Sequence, residues 1–263
     1  MTPVPVAARS AVRICLAGLL AAFAPPAAAR EGLGGVAGRA CGVTAAAVVA
    51  DIAPRPGGEV LAAGQPARLA GLAWPGGSSD AAGPALEAWA SRGPARIVTL
   101  AGPPDRWGRP AVLPVRNGTL LAADLVADGL AVVRPDDLPP ACARALLALE
   151  REARSERRGL WAVPAVQADD GPALAAFDGR YALVEGRIGS VSNGKSFLYL
   201  NFGTFGANSF TVTVPKRSLR RFEASGMTGI ALEGRRVRMR GVVVGTDRPR
   251  MEATVPEAIE RLD

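Results

Sequence analysis

The sequence contains one long segment with a helical period, whereas most of its other apolar segments are short and of strand type. The helical segment runs from Ala141 to Arg158 and ends at Gly159, and its apolar residues recur every three or four positions. Shorter helices are predicted from Gly83 to Ala90 and from Leu120 to Asp128. The pattern predicts a mainly β protein of the α+β class, with helices packed on its strands.

The strand-type segments form two groups. In the first, three strands precede a helix and further strands precede the long helix, which is the element order of a small Greek-key barrel with an OB-like fold. In the second, five strands are predicted, with a short helix from Arg217 to Ser225 between the third and the fourth. This second pattern also resembles an OB-fold. We therefore predict two OB-fold-like β-barrels in tandem.

The N-terminus has the three parts of a secretory signal peptide. Arg9 and Arg13 give a positive start, residues 14–24 are apolar, and Ala27-Ala28-Ala29 offers a cleavage site of small residues. The apolar part is shorter than the ~20 residues that cross a bilayer, so no transmembrane span is expected. The alternative is an N-terminal core helix. We expect an exported protein, either periplasmic or secreted.

Composition shifts and turn signals divide the chain into five parts. They are a signal peptide (1–29), a leader with the first strand (30–54), a first domain (55–162), a linker (163–176) and an OB-fold-like second domain (177–263).

Charge and residue content narrow the possible chemistry. The chain contains no histidine, which excludes a histidine general base, a histidine metal ligand and any Ser-His or Cys-His nucleophile pair. The formal net charge is +7, and it becomes +5 once Arg9 and Arg13 leave with the signal peptide. This mild basic excess is compatible with a polyanionic partner and is also common in exported proteins.

Two cysteines remain after removal of the signal peptide, which takes Cys15 with it. An even number of cysteines in an oxidising compartment predicts one disulfide, between Cys41 and Cys142. The alternative is a pair of buried free thiols. The spacing excludes a Cys-x-x-Cys metal or redox site.

Four motifs of the first domain occur together in a recognisable order. They are Arg68 to Pro75, Asp105-Arg106-Trp107-Gly108-Arg109, Asp124 to Val133, and Arg157 to Trp161. In this order they resemble the staphylococcal-nuclease-like (thermonuclease) family, over residues 55–162. The resemblance implies a barrel that binds nucleic acid and cleaves phosphodiesters, with Ca²⁺ held by carboxylates, a glutamate that activates water, and two arginines on the phosphate.

Both phosphate-binding arginines of that family have counterparts here, at Arg68 and Arg109. Bidentate guanidinium groups match the geometry of phosphate and offset the charge that grows in the transition state. The alternative for Arg109 is an ion pair with Asp105 that only fixes the loop.

The carboxylates of the family pattern are replaced. Ala73 stands at the metal-ligand aspartate, Gly76 at the catalytic glutamate, and residues 56–59 lack the first metal-binding turn. We therefore expect no metal or other cofactor, unless Glu59 or Asp80 restores a Ca²⁺ site, which needs about six to eight oxygen ligands. Trp74 is expected to fill the pocket mouth as a core residue; a stacking platform for a base is the alternative.

The second domain has a basic stripe that predicts a nucleic-acid surface. Arg236, Arg238 and Arg240 alternate along one strand and share a face, and Lys216 and Arg220 lie on the adjoining turn and helix. Aromatic residues on or beside neighbouring strands complete the pattern of a single-strand-binding surface: Tyr199, Phe202, Phe205 and Phe210. The alternative is an ordinary sheet with core aromatics and solvated arginines.

Three functions follow from these observations. The leading hypothesis is an exported, catalytically degenerate thermonuclease homologue that binds single-stranded nucleic acid or another polyanion. An active metal-dependent phosphodiesterase with a rearranged acidic site is the second. A non-catalytic protein-interaction module of the cell envelope is the third.

Overall fold

The computed structural model describes residue 35 and residues 37–42, 47–77, 79–203 and 210–262. The predicted signal peptide, most of the leader and Phe205 lie outside these described residues. The described chain is of the mixed α+β class, mostly sheet with several helices. None of its helices is both long and apolar enough to cross a membrane.

The first half of the described chain is built on a seven-stranded sheet in the order β1-β6-β7-β4-β3-β2, with β8 added to β7 and a separate β5-β9 pair. Its strands are β1 Ala47–Ala50, β2 Ile52–Pro54, β3 Glu59–Ala62, β4 Gln65–Leu69, β5 Leu72–Ala73, β6 Ala95–Thr99, β7 Ala111–Arg116, β8 Thr119–Leu120 and β9 Val132–Val133. Its helices are α1 Gly83–Ala90, α2 Leu121–Ala127 and α3 Pro140–Ser155.

The second half contains another seven-stranded sheet, in the order β15-β13-β12-β11-β14-β16, with β10 added to β11. Its strands are β10 Val166–Gln167, β11 Tyr181–Asn193, β12 Phe197–Phe202, β13 Thr211–Pro215, β14 Arg236–Val242, β15 Arg250–Glu252 and β16 Ile259–Arg261. Its helices are α4 Gly171–Ala175, α5 Leu219–Ala224 and α6 Gly229–Leu232. The inserted helix α5 lies where the sequence predicts it.

Neither sheet closes into a continuous barrel within the described residues, so the prediction of closed barrels is not met. In the first sheet, β1 and β2 are the two edge strands, and only Asp51 separates them along the chain. β1 pairs with β6, and β2 pairs with β3. In the second, whose edge strands are β15 and β16, an isolated bridge links Val244, just after β14, to Arg250 of β15. The interruption is local in both sheets. A single residue separates β1 from β2 in the first sheet, and a single bridge spans the gap in the second.

Residues 163–176 are packed against the second sheet, which corrects their interpretation as a linker. They form β10, which pairs in parallel with β11, and α4, whose Asp170 side chain accepts a hydrogen bond from the Ala173 backbone N–H. Ala168 and Leu174 belong to the buried core of the second half. Because only these two residues of the segment are buried in that core, the segment's composition resembles that of a linker.

The first half contains the disulfide between Cys41 and Cys142. It ties the short helical stretch at residues 37–40 to the first turn of α3, across 101 residues of chain. Both cysteines are buried in the hydrophobic core of this half. The cross-link therefore anchors the N-terminal segment to the longest described helix.

Candidate functional site

The structure places Arg68 and Arg109 close together, on β4 and just before its neighbouring strand β7. Arg68 lies on β4 opposite Glu59 of β3, and its backbone N–H donates to the carbonyl of Pro110, 3.0 Å away. Pro110 directly follows Arg109. The two arginines therefore lie on adjacent chain segments, with Glu59 beside both.

Arg109 is held by a turn that the Asp105 carboxylate organises. One Asp105 oxygen accepts the backbone N–H groups of Trp107 and Arg109, each at 3.0 Å. The other accepts Nε and Nη2 of Arg109, both at 2.8 Å, while Nη1 of Arg109 pairs with Glu59. The structural ion pair with Asp105 therefore exists, and it leaves the Nη1 edge facing the more exposed carboxylate of Glu59, 47% accessible.

Arg68 is paired with Asp137, which follows β9 in a 3-10 turn. The second oxygen of Asp137 accepts the backbone N–H of Gly71 at 3.3 Å. Sequence reasoning missed Asp137 because 69 residues separate it from its arginine. The Arg68 side chain remains 25% exposed in this pair.

Trp107 appears in the sequence analysis only as part of the Asp105–Arg109 motif, without a predicted role. Its side chain is 63% exposed, and the guanidinium carbons of Arg106 and Arg109 lie 3.9 Å and 4.6 Å from its ring centroid. An exposed indole with a guanidinium group on it combines a flat apolar surface with positive charge. Its position inside the Asp105–Arg109 motif was the available sequence signal.

Trp74 lies between β5 and the 3-10 turn Pro75–Gly77. Its ring packs directly on Gly58, because a Cβ atom on that glycine would lie 2.2–2.7 Å from three ring carbons. Its Nε1–H donates to the carbonyl of Leu130 at 3.0 Å. Trp74 therefore packs as a partly buried structural residue.

Two carboxylates near this loop, Glu59 and Asp80, are the candidates for a restored Ca²⁺ site. Within the part of the chain that the structure describes, no group of three or more Asp, Glu, Cys or His side chains could hold a metal ion. Glu59 is committed to Arg109. Asp80 begins the 3-10 turn Asp80–Ala82 next to α1.

Arg238 and Arg240 are buried, so the prediction that they contact nucleic acid is wrong. Arg236, Arg238 and Arg240 do share one face of β14, but α3 of the first half contacts that face through Glu150, which binds Arg240. Arg240 lies 2.9 Å from both oxygens of Glu150 and has a fully buried side chain. Arg238 binds Glu185 at 3.0 Å and Glu260 at 3.0 Å.

The Arg240–Glu150 pair joins the two halves of the chain, and further contacts beside it do the same. Arg154 of α3 binds Glu260 of β16 through two hydrogen bonds of 3.0 Å and 2.6 Å. The Tyr181 hydroxyl donates to the carbonyl of Val133 at 3.3 Å. Burial raises the pKa of Tyr181 far above its ordinary range, so the hydroxyl stays protonated and remains a donor.

The other predicted contacts of the second half remain at the surface. The Arg236 side chain is 54% exposed while it contacts Glu185, Lys216 donates to Asn193, and Arg220 is exposed on α5. Phe202 and Phe210 are core residues, as the alternative interpretation required, with ring centroids 5.2 Å apart. Tyr199 is partly exposed on β12.

Glu260 contributes pH-dependent stability to this junction. Burial opposes its ionisation, but hydrogen bonds and charges from Arg154, Arg238 and Arg240 outweigh burial and hold the pKa of Glu260 below its ordinary value. A lowered folded-state pKa stabilises the fold above the unfolded pKa near ~4.3, and this contribution is lost as the pH falls through the folded-state value.

We expect Glu260→Gln to lower the free energy of unfolding at pH 7 by about 1–3 kcal/mol, the usual contribution of hydrogen bonds to charged groups. Thermal melting from pH 7 to pH 3 should show the difference between wild type and variant shrinking as the solution becomes acidic. Glu257→Gln, which removes a carboxylate paired with the exposed side chain of Arg144, is the matched control. A difference that stays constant across this range would contradict the assignment.

The comparisons with known proteins add no further identification. No protein-family model matches this chain, and no curated protein matches it.

Proposed function

We propose that this protein is an exported, catalytically degenerate homologue of the thermonuclease family that binds single-stranded nucleic acid without cleaving it. The ligand's phosphates would contact Arg68 and Arg109, and one of its bases would stack on Trp107. The exposed indole of Trp107, with two guanidinium groups close to its ring, carries this proposal, because base–aromatic stacking contributes about 1–3 kcal/mol per base.

The strand arrangement supports the OB-like fold of this proposal, and the disulfide supports export. Asp51 alone separates β1 from β2, so one bent segment borders both ends of the first sheet, as expected of an OB-like barrel with a locally broken ladder. The long strand β11 similarly pairs with β12 at one end and with β14 at the other. The Cys41–Cys142 disulfide supports export, because such bonds persist in oxidising compartments.

Phosphate access to Arg109 requires displacement of one weak partner. Asp105 fixes Nε and Nη2, whereas Nη1 contacts Glu59, whose side chain is 47% exposed. Because the Glu59 carboxylate is exposed to solvent, it can rehydrate when a phosphate oxygen takes its place at Nη1. Asp105 would then hold the guanidinium in place for the incoming phosphate.

The absence of cleavage is supported by the residues that surround the loop at Trp74. Ala73 is buried and Gly76 has no side chain, so neither can bind a cation or activate water. Loss of a positioned general base alone typically costs ~10²–10⁴ in rate. The ring of Trp74 further packs onto the Gly58 turn.

The test measures binding of fluorescein-labelled dT15 and rU15 by anisotropy at several salt concentrations. We expect Trp107→Ala to weaken binding about 5- to 100-fold, which corresponds to loss of one stacked base. Arg109→Ala should lower the salt slope by about 0.7, the value for one phosphate contact of a single strand. Arg261→Ala, which removes an exposed arginine on β16, is the control.

Cleavage is assayed in parallel with Ca²⁺, Mn²⁺ or chelator. We expect no cleavage and no rise of the melting temperature with Ca²⁺, since only a bound ion stabilises the fold by mass action. Metal-dependent cleavage that Arg109→Ala abolishes would replace this proposal with an active phosphodiesterase. Equal affinity of Trp107→Ala and wild type would remove the first half from the binding site.

A further inference from the structure

The outer face of the second sheet is divided into a covered part and an open part. On β11, Tyr181 and Leu183 pack in a small cluster with residues of the first half. The register of β11 against β12 then shifts between Ile188 and Ser190, which marks a β-bulge. Beyond the bulge, Ser190 and Ser192 are exposed, so the bulge marks where the open part of this face begins.

Two aromatic side chains lie on the open part. On β12, Leu198 and Leu200 point inward to the core, which places Phe197 and Tyr199 on the outer side. Both are partly exposed, neither belongs to the core of the second half, and their ring centroids are 6.2 Å apart at an interplanar angle of 59°. These two rings can therefore be reached from solvent, whereas Phe202 and Phe210 of the same sheet are buried.

The Tyr199 ring is held across the hairpin between β11 and β12. A Cβ atom on Gly194 would lie 2.6 Å from a ring carbon of Tyr199, so the ring packs directly on this glycine. The ring therefore has a fixed support and loses little conformational freedom when a ligand stacks on it.

Polar groups surround the two rings. The Asn201 side-chain nitrogen lies 3.3 Å and 3.4 Å from the hydroxyl oxygens of Ser190 and Ser192, and its oxygen accepts from Thr211 at 3.4 Å. All four side chains are at least partly exposed. These hydroxyl and amide groups can exchange their long mutual hydrogen bonds for shorter ones to a ligand.

Positive charge borders the same face. Lys195 lies in the hairpin, and Lys216 donates from the end of β13 to the hairpin residue Asn193. On β15, Arg250 is paired in register with Thr211, and Glu252 is partly neutralised by Arg217 at 3.5 Å. Four cations therefore border the face against one carboxylate, which favours an anionic ligand.

We infer that this open face, defined by Phe197, Tyr199 and Asn201 with the border residues Lys195 and Lys216, is a second contact surface for single-stranded nucleic acid. Supported aromatic rings with a basic border are the combination that binds successive bases and their phosphates. The inference rests on the proposed function for its ligand class. It uses a different surface from the Trp107 loop and from the buried arginines of β14.

The test uses the full chain with fluorescein-labelled dT15. We expect Tyr199→Ala to weaken binding about 5- to 100-fold, both in the wild type and in the Trp107→Ala background. Tyr199→Phe should bind within about twofold of wild type, because it keeps the stacking ring. Lys195→Ala should lower the salt slope by about 0.7.

Ile230→Ala is the matched control, because it removes an apolar side chain on α6 that is 92% exposed. The residue before it, Gly229, packs on Val191, which points to the inner side of the sheet, away from the open face. Melting temperatures of all variants separate lost binding from lost folding. If Tyr199→Ala is misfolded, Tyr199→Ser and Lys195→Ala carry the same test.

The outcomes distinguish the two surfaces. Loss of affinity in Tyr199→Ala alone supports the open face and removes the Trp107 loop from the site. Loss in Trp107→Ala alone overturns this inference and leaves the proposed function intact. Failure of the wild type to bind overturns both, and heparin binding as tight as dT15 binding, unchanged in Tyr199→Ala, would replace the inference with a polyanion surface.

Discussion

Replacing Arg240 with alanine is expected to lower the free energy of unfolding by about 3–5 kcal/mol, because it leaves the Glu150 carboxylate buried without a counter-charge. Both side chains are essentially inaccessible, and Arg240 also donates to the carbonyl of Val133 at 3.2 Å. Burial opposes the charge of Arg240, but Glu150 outweighs burial and raises the pKa of Arg240, so this guanidinium stays charged. Urea unfolding followed by circular dichroism measures this loss.

Arg236→Ala provides the control on the same strand and the same face. Its side chain is 54% exposed, so we expect a change of only about 0–1 kcal/mol. The double variant Arg240→Met with Glu150→Gln should recover much of the loss, since it removes both charges while Gln can still accept the backbone N–H of Val133. If Arg240→Ala is as stable as Arg236→Ala, the two halves are not joined by this pair.

Loss of the disulfide is the second large effect that we expect. The double variant Cys41→Ala with Cys142→Ala should be about 2–5 kcal/mol less stable than the wild type, since the bond closes a loop of 101 residues in the unfolded chain. Unfolding in guanidinium chloride measures the difference. The quantity to compare is the guanidinium concentration at the midpoint of unfolding. It reports stability directly when the slope of the unfolding free energy against denaturant concentration is the same in both proteins.

Reduced wild-type protein is the matched control for that variant, because it keeps both sulfur atoms in the core and lacks only the covalent bond. The reduced protein should show most of the loss of stability that the double variant shows. The remaining difference measures the packing of the two buried thiols in the core. Equal stability of oxidised and reduced wild type would show that the cross-link does not constrain the unfolded chain.

The sequence by itself determined most of the local structure. Gly83–Ala90 is a helix as predicted, and the predicted helices 120–128 and 141–158 are observed as Leu121–Ala127 and Pro140–Ser155. A proline in the first turn sets the start of the first and the third of these helices. The long helix ends at Ser155, before the predicted stop at Gly159, and Arg157 then takes a positive φ. The Asn193-Gly194 hairpin and the alternation on β14 are equally local properties. Cys41 and Cys142 could be paired from the sequence because they were the only candidates left after the predicted cleavage.

The tertiary structure alone decided which faces are exposed. Alternation placed Arg236, Arg238 and Arg240 on one face, but a period of two does not say whether another domain covers that face. One sequence signal was available, since Glu150 stands among the apolar positions of α3 and a buried carboxylate needs a partner.

The partners of the two motif arginines were also decided by tertiary structure. Asp137 lies 69 residues from Arg68, whereas Asp105 lies within the same motif as Arg109 and was predicted. Residue types and spacing thus specify local geometry. The choice of a charge partner depends on which segments pack together, because pairing of distant segments reflects the packing of the whole chain.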